Sequence, residues 1–279
     1  MEIIDGRKIR DEILAGLKAR VTALPFTPVF CDILVGNDPA SRQYVDMKDR
    51  IAESLGIEAY GAQFPSEITT EELIDELGRI ATLPGMAGLI VQLPMPEHID
   101  TRAVLDAVPL AYDVDALSTE ASDLFYADTP AFVFPTAAAV MAIIESLDLP
   151  VLDMSVCMVG KGMLVGKPVA HMLLARGISV DVVDSTTEDA QEIIRSADIV
   201  ISATGQAGFL KGEMLKDDAI VIDAGTSESG GGIAGDIDRA SVEKVAAMLS
   251  PVPGGVGPVT VAMLMLNVVL AAERLAENK

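Results

Sequence analysis

Ser250-Pro251-Val252-Pro253-Gly254-Gly255-Val256-Gly257-Pro258-Val259-Thr260 leads into an apolar run over residues 261–272, and its reading decides the fold. Three prolines and three glycines fall within residues 251–258, a density that excludes a helix or an ordinary strand there. Proline fixes φ and removes a backbone donor, while glycine opens angles closed to other residues. The pattern predicts a rigid loop, poor in side chains, that lets a flat ligand approach the main chain. Thr260 stands where it would cap the following helix, whose free N–H groups favour electron-rich ligand atoms. Composition alone reads equally well as an elaborate turn. The segments around the loop decide between the two.

Upstream, the second half of the chain alternates strands and helices. Residues 155–159 read as a strand, followed by Gly160-Lys161-Gly162-Met163-Leu164-Val165-Gly166-Lys167-Pro168 and a helix through Arg176. Strands are expected at 178–183, 198–203 and 219–223, and a helix over 236–247. This half reads as a Rossmann-like dinucleotide domain. The first half alternates too. Asp5 would cap a helix carrying Ile9, Ile13, Leu17 and Val21 at helical spacing. Strands at 29–35, 58–64 and 88–92 are separated by helices over 39–55 and 70–81. Such alternation indicates right-handed βαβ units on a parallel sheet. Residues 109–135 lack periodicity and read as a long functional loop or domain connection. The final helix is so apolar that it needs cover on most sides, which predicts packing back onto the first domain.

Composition narrows the class. With 279 residues, half of them hydrophobic, the chain can bury a large core in two domains. The apolar run over 261–272 is interrupted by Asn267 and reads as too short for a membrane span. Residues 1–5 show neither the basic start nor the apolar centre of a secretory signal. Two cysteines, Cys31 and Cys157, and two histidines, His98 and His171, argue against a disulfide framework and a metal site. A soluble cytoplasmic protein is the simplest account. The net charge of −22 comes mostly from residues 51–160, which hold 18 acidic and 2 basic side chains. A field of this sign repels nucleic acid and anionic membranes. It reads as a solubility device or a salt-adapted surface.

Candidate site residues follow from position. Gly160-x-Gly162-x-x-x-Gly166 is one residue longer than the standard dinucleotide fingerprint, yet it follows a strand and opens a helix. Asp184, at the end of the next strand, stands where a carboxylate bonds ribose hydroxyls. Tyr44 and Lys48 lie four apart and share a helix face. By themselves they read as an ordinary solvated pair. Gln92 ends a strand at the carboxyl edge of the sheet, and Asp113-Val114-Asp115 lies in the long loop.

Taken in order, Tyr44-x-x-x-Lys48, Val91-Gln92-Leu93-Pro94-x-Pro96, Asp113-Val114-Asp115, Val165-Gly166-Lys167-Pro168, Gly235-Asp236 and the loop 251–260 resemble the bifunctional methylenetetrahydrofolate dehydrogenase/methenyltetrahydrofolate cyclohydrolase family. The likeness runs from Ile4-Asp5-Gly6 to the last helix. It implies an N-terminal three-layer α/β domain over 1–135, joined by the helix 260–279, and a Rossmann-like domain over 136–259. A cleft between them and a homodimer are implied too. The implied activity is NAD(P)-dependent oxidation of 5,10-methylenetetrahydrofolate, then hydrolysis of the methenyl product to 10-formyltetrahydrofolate, without a metal.

By the same resemblance, Lys48 is the general acid/base and must be partly unprotonated near neutrality. Gln92 holds its amine, Tyr44 stacks on or orients the folate, and Asp115 binds the amino-pyrimidine edge. Pro253, Gly254, Gly255, Gly257 and Pro258 bring backbone to the substrate. Gly160, Lys161, Gly162, Val165, Gly166, Asp184, Ser185 and Thr226 bind the dinucleotide. The chain departs from the family at Tyr112, Ala116 and Leu117, at Thr136-Ala137-Ala138, at Lys161-Gly162, and at Ala224 and Thr226-Ser227. With Gly162 lacking a hydroxyl and Asp184 repelling a 2′-phosphate, NAD use or weak discrimination is expected ahead of strict NADP preference. Two other readings are a folate- or dinucleotide-binding regulator that has lost turnover, and a dehydrogenase for another small metabolite. Retention of Lys48 with Gln92 argues against the regulator, and Asp115 with Tyr44 suits a pterin better than a simple acid.

Overall fold

The computed structural model describes residues 1–229 and 232–277. The chain begins with β1 (Glu2–Ile3) and α1 (Gly6–Thr22). Then come β2 (Val29–Val35), α2 (Pro39–Leu55), β3 (Glu58–Phe64), α3 (Thr70–Ala81) and β4 (Met86–Val91). Two short helices, α4 (Thr101–Asp106) and α5 (Thr119–Tyr126), precede α6 (Pro135–Ser146). The second alternation is β5 (Val156–Val159), α7 (Gly166–Ala175), β6 (Val180–Val183), α8 (Ala190–Ser196), β7 (Ile199–Ser202) and β8 (Ile220–Asp223). An antiparallel pair, β9 (Ser227–Ser229) and β10 (Gly232–Ala234), is followed by α9 (Arg239–Val242), β11 (Met248–Ser250) and α10 (Val256–Glu277).

The chain forms two compact units. One comprises Met1–Glu12 with Phe134–Met263, the other Ile13–Val133 with Leu264–Lys279. The second has a parallel sheet in the order β3-β2-β4. β2 and β4 are buried at every position, as parallel strands covered on both faces are. On one face Phe30 and Ile90 pack with Leu17 and Val21 of α1, Leu55 of α2 and Met265, Val268 and Ala272 of α10. On the other, Cys31, Ile33 and Leu89 pack with Leu73 and Leu77 of α3 and Leu105 of α4. This gives three layers, helix on sheet on helix.

Local chemistry sets the helix ends. Asp38 accepts from Ser41 N–H at 2.7 Å to open α2, and Gly56 closes it at φ 90°. Thr69 and Glu72 form a reciprocal capping box at α3, with bonds of 3.2 and 3.0 Å.

The other unit is a six-stranded sheet in the order β1-β11-β8-β7-β5-β6, parallel throughout. The crossover from β5 goes to β6 on one side, and the next strand, β7, lies on the other. The carboxyl ends of β5 and β7 therefore form the switch point where open α/β sheets bind ligands.

Several expectations change. The segment 256–258 is the first turn of α10, because proline within that turn forgoes only an N–H with no helical partner. Thr260 lies inside the helix and is not its cap; its hydroxyl donates to the Val256 carbonyl at 3.2 Å. With 22 residues, α10 is long and apolar enough to cross a membrane by length and composition. Its most apolar window is 61 % buried inside the protein. Asn267, the apparent interruption, donates to the Val114 and Val133 carbonyls, both at 2.8 Å. The helix expected over 236–247 shrinks to α9, since Asp236 is drawn into a polar network and a turn after Val242 carries the chain into β11. Residues 109–135 include α5, capped by Ser118. Residues 278–279, the end of the expected last helix, lie outside the described residues.

Candidate active site

In the unit built on β2 and β4, two elements converge. α2 carries Tyr44 and Lys48 one turn apart on one face. Gln92 follows β4 and its N–H continues the ladder, donating to the Ile33 carbonyl at 2.8 Å, which sets the residue at the carboxyl end of the sheet. Lys48 Nζ donates to Gln92 Oε1 at 2.9 Å, while Gln92 Nε2 donates to the Leu93 carbonyl at 3.0 Å. The second bond fixes which end of the amide faces the amine. Lys48 is buried, at 7 % exposure. Tyr44 is half-buried, and burial raises its phenol above the usual value.

Asp32 joins them, though nothing in the sequence motifs marks it. It lies on β2 at 1 % exposure, with its carboxylate ion-paired to Lys48 Nζ. Neither carboxylate oxygen receives a further hydrogen bond among the described residues. Burial pushes its carboxyl above the usual range, against the opposing pull of Lys48. The available signal was one acidic residue in an otherwise apolar strand, Val29-Phe30-Cys31-Asp32-Ile33-Leu34-Val35. Asp49, next to Lys48, is pushed up to about 6 by burial and by Asp32.

The two aspartates of the loop motif separate in role. Asp113 is buried and accepts from Leu117 and Ser118 N–H at 3.2 and 2.9 Å, while Leu89 N–H donates to the Tyr112 carbonyl at 2.8 Å. These bonds pin the loop to β4. Asp115 is partly buried, and burial pushes it up to about 6; Lys48 opposes the shift, and Asp113 and Asp32 add to it.

The Rossmann-like unit holds the glycine turn. Gly160 follows β5 at φ +99°, and a Cβ there would lie 2.4 Å from the Ala203 carbonyl oxygen. A Cβ on Gly166 would lie 2.1 Å from the Gly160 carbonyl oxygen. These two glycines let strand, turn and helix close together. Gly162 is different: a Cβ there meets nothing within 4 Å, so the turn opens outward at this point. Lys161 and Gly162 are exposed and Val165 is partly buried.

Lys161 Nζ is ion-paired with the Asp184 carboxylate, which also accepts from Thr186 N–H at 2.9 Å and Thr186 Oγ1 at 2.7 Å. Lys161, and after it Thr186, hold the Asp184 carboxyl well below the usual range. Ser185 and Thr226 are exposed on the loops after β6 and β8. An open turn at a helix start, with a lysine beside it and a carboxylate at the end of the next strand, fits a dinucleotide.

Two buried aspartates hold these loops from beneath. Asp236 accepts from Ser202 Oγ at 2.9 Å and Gln206 N–H at 2.9 Å, fixing the loop after β7. Asp223 accepts from Gly225, Asp236 and Ile237 N–H at 3.1, 3.0 and 3.2 Å. Burial pushes Asp223 up to about 6 against those bonds. The resemblance included Gly235-Asp236, but a supporting role could not be read from it.

The proline-glycine loop follows β11. Gly255 N–H donates to the Pro251 carbonyl at 2.8 Å, and Gly6 N–H to the Gly254 carbonyl at 3.0 Å. Pro253 and Gly257 are exposed, Gly254 and Pro258 are partly buried, and Gly255 is buried.

Comparison with known proteins agrees with both units. Residues 4–115 match the family model described as tetrahydrofolate dehydrogenase/cyclohydrolase, catalytic domain, and residues 134–276 match that of its NAD(P)-binding domain. The bifunctional protein FolD of Bordetella bronchiseptica is 38 % identical over 279 residues, covering 98 % of each chain. The solved structure of the bifunctional FolD methylenetetrahydrofolate dehydrogenase/cyclohydrolase of Campylobacter jejuni has a TM-score of 0.92 at 32 % identity, covering 99 % of each chain. That of Trypanosoma brucei, complexed with NADP cofactor and an inhibitor, scores 0.91 at 34 % identity over 98 % of this chain and 97 % of that one. Matched over nearly its whole length, the chain belongs to the tetrahydrofolate dehydrogenase/cyclohydrolase family.

Proposed function

We propose that the protein oxidises 5,10-methylenetetrahydrofolate with NAD(P) and hydrolyses the methenyl product to 10-formyltetrahydrofolate, with Lys48 as acid/base of the second step. The observation that carries this reading is the buried Lys48 amine held at 2.9 Å by Gln92 at the carboxyl end of the sheet. Hydrolysis needs a proton taken from water and one given to the leaving ring nitrogen, and an amine in place does both. Oxidation needs neither: the two substrate nitrogens support the developing cation, and the protein contributes proximity. The dinucleotide, when bound, supplies the hydride acceptor.

Asp115 would receive the N–H groups of the pterin edge, where a carboxylate accepts two parallel bonds. Tyr44 offers a flat, half-buried ring for stacking. Gly160, Gly162, Val165 and Gly166 would pass backbone along the dinucleotide phosphates, with Ser185 and Thr226 on flanking loops. Pro253, Gly254, Gly257 and Pro258 would face the substrate, and Gly255 would shape their turn. Asp184 and Lys161 set the dinucleotide choice, which favours NAD use or weak discrimination, because the carboxylate would reject a 2′-phosphate unless Lys161 turns to meet it. A cytoplasmic homodimer is the expected form; the buried, unpaired Cys31 and Cys157 suit a reducing compartment.

Purified protein given methylenetetrahydrofolate and a dinucleotide should first accumulate and then consume methenyl absorbance. Binding of both ligands without any absorbance change would favour a regulator that has lost turnover. Lys48→Met should abolish methenyl hydrolysis above the spontaneous rate in protein that still melts cooperatively. Undiminished hydrolysis in that variant would remove Lys48 from its role.

A further inference from the structure

We propose that Asp32 is a positioning residue for the hydrolytic step that also takes up the Lys48 proton, so that the amine becomes a base without releasing that proton to solvent. The proposal rests on the Lys48 assignment above. Asp32 shares the β2 face of Phe30, two residues away, and so points to the layer that contains α2. Its neighbours on the strand are all apolar. A residue serving the fold alone would be apolar as well, since a buried ion pair stabilises no better than a well-packed apolar pair.

Two other carboxylates in the chain show the contrast. Asp113 accepts two backbone N–H bonds, and Asp236 accepts from Gln206 N–H and Ser202 Oγ, so hydrogen-bond donors meet each carboxylate. Among the described residues Asp32 has no such bond, and Lys48 is the cation paired with it. Moving one proton across that contact leaves a neutral acid beside a neutral amine, and burial favours the neutral form of Asp32. The charged groups around it come from two elements. From α2 they are Lys48 and Asp49, with Asp46 and Glu53 beyond it; from the loop after β4 they are Asp115 and Asp113. Cys31, beside Asp32 on the strand, has a thiol raised by burial first and then by Asp32 and Asp49.

The sequence of steps balances. Lys48 gives a proton to the Asp32 carboxylate and becomes a neutral amine. Water adds its oxygen to the cationic methenyl carbon while one of its protons passes to that amine. The resulting ammonium then protonates the ring nitrogen N5 as the carbon–N5 bond breaks and its electron pair stays on nitrogen. The remaining hydroxyl proton returns to the amine, leaving the formyl group on N10. Asp32 finally loses its proton to solvent, the one proton that hydrolysis of a cation releases.

The test is the pH profile of methenyl hydrolysis in wild type and Asp32→Asn, each corrected for the spontaneous rate. Wild type should be flat from about pH 6 to 8, because the activating proton stays inside the pair. Asp32→Asn should be slower by about tenfold or more at pH 7 and should climb about tenfold per pH unit, because its amine must deprotonate to solvent. A profile of unchanged shape in Asp32→Asn overturns the proposal whatever the rate, and so does a wild type that itself climbs tenfold per unit. Asp32→Ser, smaller and uncharged, gives the same reading if the amide does not fit. A Lys48→Met protein that hydrolyses at the wild-type rate would instead sink the Lys48 assignment on which the proposal rests.

Discussion

At the scale of single residues, the buried pair couples stability to chemistry. Lys48→Met strands the Asp32 carboxylate in an apolar layer, and breaking a buried pair from one side costs about 3–5 kcal/mol. The urea midpoint of Lys48→Met should therefore fall, and less so at pH 6 than at pH 8, since acid neutralises the stranded carboxyl. Adding Asp32→Asn should recover most of the loss; equal midpoints for the single and double variants would mean that the pair carries no coupling. Asp184 is a different case, partly buried beside the exposed Lys161. Asp184→Ser frees that lysine and should shift the kcat/KM ratio toward NADP by about tenfold or more. Wild type that strongly prefers NADP, unchanged by the substitution, would show that Asp184 does not read the ribose. Lys48, Gln92 and Tyr44 were singled out by the family resemblance, since spacing alone gave Tyr44 and Lys48 as an ordinary solvated pair. Asp32 was not, because a strand reading averages over neighbours and six of its seven residues are apolar.

Elements make their own predictions. Thr69 caps α3 in a reciprocal box, so Thr69→Ala should lower stability by about 1 kcal/mol. Thr260 bonds within its own helix, so Thr260→Ala should cost less than about 0.5 kcal/mol. Similar losses in the two urea titrations would restore Thr260 as a cap. Asn267→Ala leaves two carbonyls without their donor and should cost about 1–3 kcal/mol. Strands and long helices could be read from apolar period because one buried face writes that period. Ends could not, wherever side-chain chemistry overrode it: proline and glycine start α10, and the pull of Asp236 shortens α9. β1 was invisible, since two residues carry no period and their partner β11 lies near the other end of the chain.

For the molecule as a whole, the charge of −22 sets the response to pH and salt. Asp49, Asp115 and Asp223 are each raised to about 6, so the native state binds more protons than the unfolded chain between about pH 4 and 6. Stability should fall as pH rises through that window, with about 3 kcal/mol from the fully buried Asp223 alone. Below it Asp106 and Glu273, held low by hydrogen bonds and arginines, reverse the trend. The urea midpoint should therefore be higher near pH 5.5 than at pH 8, and a midpoint that rises steadily to pH 8 would contradict this. Molar salt should raise it at pH 8 by screening self-repulsion.

The pairing of β1 with β11, and the packing of α10 beneath β2 and β4, also bear on the chain as it leaves the ribosome. Glu2 and Ile3 emerge first, yet their sheet neighbour is not translated until Met248–Ser250. The three-stranded sheet is complete at Val91, yet the face that α1 and α2 cover in part stays without its α10 residues until 264–272 arrive. Neither unit can close while its own stretch of chain is being made. Each nascent sheet must wait, with apolar surface uncovered, for residues encoded near the other end of the message, which makes folding a late event and chaperone cover an early need.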